Sequence, residues 1–171
     1  LSPDFGDDPA SSLRAIEDGG QGAVVSVMTF TLAQLPLLLG VIGVWHLMRD
    51  RAPALATWGT ALVVLSCFGH AVTGGTTLVA LAMAQDLANV DVYADILAGL
   101  ESGVAVVFMA LGLLGMVLGF LLLALGLWRA RVGPRAVPAL LVGAVVVEFG
   151  LSAFSGWAFV ASAVTLAAAL I

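Results

Sequence analysis

Four stretches of this chain run almost free of charge for longer than a bilayer is thick, and that limits the fold more than any other feature. They are Gly22–Met48, Thr57–Ala84, Gly103–Trp128 and Val137–Leu166, and Glu148 is the only acid or arginine within them. A transmembrane α-helix needs about 20 predominantly apolar residues to cross a hydrocarbon layer about 30 Å thick. The reading is therefore all-α: an integral membrane bundle of four helices whose main solvent is lipid. Composition agrees. Of 171 residues, 61% are hydrophobic and 10% charged, with a mean hydropathy of +1.13, whereas a soluble domain of this size is far more polar.

Charge gives an orientation. Five of the six arginines lie in two short turns, Arg49 and Arg51 after the first run and Arg129, Arg131 and Arg135 after the third; there is no lysine. By the positive-inside rule these turns are cytoplasmic. The N-terminal tail and the segment 85–102 then lie outside with the C-terminus, and they hold nine of the eleven acids. Trp45 and Trp128 flank the basic turns, where interfacial aromatics belong. The opening "LSPDFGDDPASS" is acidic and lacks the basic n-region of a signal peptide. A net charge of −5 does not point to nucleic acid. Arginine without lysine, with abundant Ala, Gly, Val and Leu, reads as a high-GC bacterial gene and places the chain in a bacterial cytoplasmic membrane.

The two halves resemble each other. "DDPASSLRAIEDGG" aligns with "DVYADILAGLESGV", pairing Leu13, Ile16, Glu17 and Gly19 with Leu97, Leu100, Glu101 and Gly103. Gly43 and Trp45 match Gly126 and Trp128, and "PAL" recurs at Pro53 and Pro138. Residues 1–84 and 85–171 thus read as tandem helical hairpins in one orientation, a parallel repeat about the membrane normal. Each starts with a short amphipathic outer helix that lies on the membrane or caps the bundle. By this correspondence the last run is one long, kinked helix, not a hairpin turning at "AFSGW".

Polar residues gather at mid-depth. At roughly 1.5 Å per residue, His70, Glu148 and Gln34 lie about 20, 16 and 21 Å from the cytoplasmic ends of their helices. Thr73 follows His70, and Ser152 follows Glu148, on the same helical faces. The third run offers Gly112, Gly115 and Gly119 instead, the last two a GxxxG spacing that permits close helix approach. An ionisable group facing lipid costs about 2.5 kcal/mol or more, so these faces should point inward. A charged Glu148 at this depth needs a partner such as a protonated His70. In the repeat His70 aligns near Phe154, Glu148 near Val64 and Gln34 near Leu118, so the polar residues stand outside the duplicated frame. They form either a ligand-binding or proton-linked seam or plain helix–helix glue.

Other chemistries fit less well. Cys67 is the single cysteine, so intramolecular disulfide and CxxC readings fall away, and it reads as packing. His46 lies near the boundary, about 17 Å in depth from His70, too far for both to bind one haem. A metal or haem on His70 alone, or shared across a dimer, is the remaining redox reading, and no cofactor is predicted. The methionines form no copper-type cluster. Pro36 should kink the first run, and Gly74-Gly75 should loosen the second. No nucleophile–base pair, Walker loop or HExxH motif is present. With its "RDRAPAL" basic turn and four runs, the chain resembles small four-helix integral membrane proteins of high-GC bacteria; the resemblance implies the layout and no activity. Function is expected to be non-enzymatic binding or transport through Gln34, His70 and Glu148 with Thr73 and Ser152. The alternatives are an accessory subunit of a larger membrane complex and a haem redox protein. Partners would be the bilayer, a second copy or other membrane subunits.

Overall fold

The computed structural model describes residues 8–151 and 164–165. The described residues are helical apart from short turns: α1 Pro9–Met48, α2 Pro53–Met83, α3 Val90–Ser102, α4 Val104–Ala130 and α5 Ala136–Leu151, with a 3-10 turn at Leu87–Asn89. Among the described residues three helices are long and apolar enough to cross a membrane, Pro9–Met48, Pro53–Met83 and Ala105–Ala130. The fourth expected span begins as α5. Most of its remainder, with Ser152 and "AFSGW", lies outside the described residues.

Local chemistry sets the helix limits. Asp8 caps α1, its carboxylate accepting from the Ser11 amide at 3.3 Å, with Pro9 in the first turn where no amide donor is missed. Pro53 opens α2 in the same way. The one break inside α1 is Gly20, at φ 49° and ψ −129°, a conformation that only glycine adopts without strain. It separates the expected outer helix from the expected first span. α1 keeps helical dihedrals through Pro36. Its ring removes one backbone donor, and the helix tolerates the loss. At Gly74-Gly75 α2 runs uninterrupted, and a Cβ at Gly74 would strike the Thr31 hydroxyl. Glycine there provides contact surface. Beyond α4, Arg131 adopts φ 53°, the left-handed position after a helix that glycine usually fills. A side chain there costs about 1–2 kcal/mol.

The chain forms two compact units, one from residues 1–35 and 68–112, the other from 36–67 and 113–171. In the first, Leu13 and Ile16 of the outer segment of α1 bury against Ala80, Leu81, Ala84 and Leu97. The outer segments therefore cap the end of α2, although Leu100 stays exposed. Asp86 organises the turn into α3: it accepts from the Ala88 amide at 3.3 Å, Asn89 Nδ2 at 2.9 Å and the Tyr93 hydroxyl at 3.3 Å.

In the second unit a core of Leu37, Val41, Met48, Val63, Phe120 and Leu123 includes Leu141 and Val145 of α5. Here α2 and α4 run antiparallel on small residues. A Cβ at Gly115 would meet the Leu62 carbonyl at 2.8 Å, and one at Gly119 would meet the Gly59 carbonyl at 3.0 Å. The anticipated glycine face of α4 is thus its contact face with α2. Both arginine turns lie at one end of this unit, since Arg51 Nη1 donates to the Ala130 carbonyl at 3.3 Å. Arg49 stacks on Trp45, 5.5 Å from the ring centroid.

Candidate functional site

Among the described residues of the first unit, Gln34 is the buried polar one, 9% exposed. Its Nε2 donates to the Phe30 carbonyl one helical turn earlier, at 3.1 Å. Its Oε1 is buried and has no hydrogen-bond partner. Most buried polar groups are satisfied, and each exception calls for an explanation. Here the amide's donor end is engaged within its own helix while its acceptor end stands open.

His70 reaches the same neighbourhood from α2. Its ring meets Phe30 edge to face, centroids 5.6 Å apart and planes at 85°. On α4, a Cβ at Gly112 would come within 3.2 Å of both Cδ2 and Nε2 of the imidazole. The ring therefore occupies a slot between an aromatic wall and a residue with no side chain. Both Gln34 and His70 touch Phe30, the amide through its backbone and the imidazole through its ring.

The hydroxyls around them look inward along their own helices. Thr31 donates to the Val27 carbonyl at 2.9 Å, Thr73 to Gly69 at 3.1 Å and Thr77 to Thr73 at 3.0 Å. Thr73 is thus present beside His70 with its proton committed and its lone pairs available as acceptors. Glu148 belongs to α5; its side chain, like Ser152, lies outside the described residues. Cys67 is buried in the core of the other unit. Among the described residues no three His, Cys, Asp or Glu side chains group as metal ligands.

Sequence reasoning did not single out Phe30, and it read Gly112 only as a packing residue. The signals were there: Phe30 stands one turn before Gln34, and Gly112 begins the glycine face of α4. Comparison with family models, curated proteins and solved structures returns no match, so no residue role comes from a relative.

Proposed function

We propose that this chain is a four-span membrane protein of two tandem hairpins that binds a small donor-bearing ligand, or a proton, at Gln34 and His70. The observation that carries the reading is the unmet Oε1 of Gln34, an acceptor held in an apolar environment where only a hydrogen-bond donor is rewarded. His70, sharing Phe30 with it, is the ionisable side chain of the pair and the one able to exchange a proton. Glu148, Thr73 and Ser152 join the proposal from their positions in the sequence. The chemistry is binding or transfer without covalent catalysis.

Gln34→Leu separates the alternatives. It removes the buried acceptor without creating another, so thermal stability in mild detergent should hold or rise by about 1 kcal/mol. Valinomycin-driven proton uptake, read by an entrapped pH dye in proteoliposomes, should fall to the protein-free rate, and His70→Phe and Glu148→Gln should follow. Unchanged uptake in all three, with a lower melting temperature for Gln34→Leu, would sink the proposal. An accessory subunit would then be favoured, a reading supported by the self-satisfied threonines of α1 and α2.

The proposed frame places the chain in a bacterial cytoplasmic membrane with both termini outside. The repeat is supported by breaks at comparable points, Gly20 before the first span and Gly103, at ψ −133°, before the third. In a Cys67→Ala background, Asp50→Cys and Pro134→Cys should react with an impermeant maleimide only from the cytoplasmic face. Asp91→Cys should react only from outside. Labelling of positions 50 and 134 from opposite faces would contradict the common end set by Arg51 and Ala130.

A further inference from the structure

The turn between α4 and α5 encloses a pocket of about 120 Å³, apart from Gln34 and His70. Arg131 and Arg135 line it, Trp128 forms a wall, and Leu127, Pro134 and Pro138 supply apolar surface. We propose that it holds the phosphate of an anionic lipid headgroup.

Charge is the first support. This end of the second unit gathers Arg49, Arg51, Arg129, Arg131 and Arg135 against one acid of the turns, Asp50. Asp50 lies 3.9 Å from Arg49, and among the described residues neither Arg131 nor Arg135 has a carboxylate partner. Two arginines lining one cavity match a phosphate, whose oxygens accept guanidinium hydrogen bonds in pairs. The backbone is the second support. Arg131, a lining residue, stands in the left-handed region, where glycine would be easier. The mixed lining selects the source of the phosphate. A free phosphate makes no use of Leu127, Pro134, Pro138 and an indole 62% exposed. A glycerophospholipid presents its charge and its apolar glycerol–acyl junction together, at the depth where tryptophan and arginine settle.

The test uses the full chain in mild detergent with equimolar dioleoyl phosphatidylglycerol and dioleoyl phosphatidylcholine, read by native mass spectrometry. With about 5-fold per arginine, phosphatidylglycerol should be retained over phosphatidylcholine by about 30-fold for the pair. Arg131→Gly should lose about 5-fold while melting at or above the wild-type temperature, because glycine suits φ 53°. Arg131→Gly combined with Arg135→Gln should abolish the preference, and Arg49→Gln should leave it intact. A preference that survives the double substitution overturns the site. So does its loss in Arg49→Gln. Displacement of the lipid by millimolar sn-glycerol 3-phosphate alone would assign the pocket to a soluble organophosphate and overturn the lipid as occupant.

Discussion

Gly69→Ala is expected to lower the melting temperature sharply, and Gly69→Leu to lower it further. A Cβ at Gly69 would stand 2.5 Å from the Phe108 carbonyl oxygen and 2.7 Å from the Gly112 amide nitrogen. Both are backbone atoms, which cannot rotate aside as a side chain can. The first methyl therefore already forces α2 away from α4, and the larger leucine forces it further. Overpacking of this kind typically costs about 1–3 kcal/mol, and the upper end applies because separation also withdraws Gly112 from the His70 ring. Gly75→Ala supplies the contrast on the same helix. Nothing lies within 4 Å of its Cβ position, so it should gain about 0.5–1 kcal/mol from the lower helix cost of alanine. Thermal unfolding in detergent, followed by circular dichroism, reads both. Equal melting of Gly69→Ala and wild type would show that the helices are not in backbone contact there.

Leu13→Ala should produce the second large loss. Leu13 is 0% exposed and packs with Ile16, Ala80, Leu81 and Leu97. Removing its buried methyl groups leaves a cavity, at a cost of about 2–5 kcal/mol for a leucine in a closed core. Leu39→Ala, at a position 71% exposed, removes the same atoms from the apolar outer face and should be nearly silent. An outer segment that merely floated on the membrane surface would give the opposite pattern. Leu13→Ala would then weaken vesicle association and leave the melting temperature alone.

Much of this fold could be read from the amino acids. Apolar length located α1, α2 and α4 because lipid penalises interruption, and the spacing of Gly112, Gly115 and Gly119 identified the face turned to α2. The common end of the arginine turns followed from charge and is tied by the bond from Arg51 to Ala130. Helix breaks were less legible. Pro36 is visible in the sequence, yet α1 keeps helical dihedrals through it. Gly20 looks like any other glycine until its φ of 49° is seen. The site was legible as a depth and hidden as a geometry. Gln34 and His70 were picked out because polar atoms are costly in hydrocarbon. The role of Phe30 came only from contacts, since a phenylalanine among apolar neighbours carries no pattern of its own.

The bond from Arg51 to Ala130 spans 79 positions of sequence, and this has a consequence for synthesis. At about 5–20 residues per second, a ribosome needs about 4–16 s to deliver the carbonyl after the guanidinium has emerged. During that interval the Arg51 guanidinium must take other hydrogen-bond partners, such as water. The arginine is thus a late clasp: it closes only once α4 has been made to its last residue, Ala130.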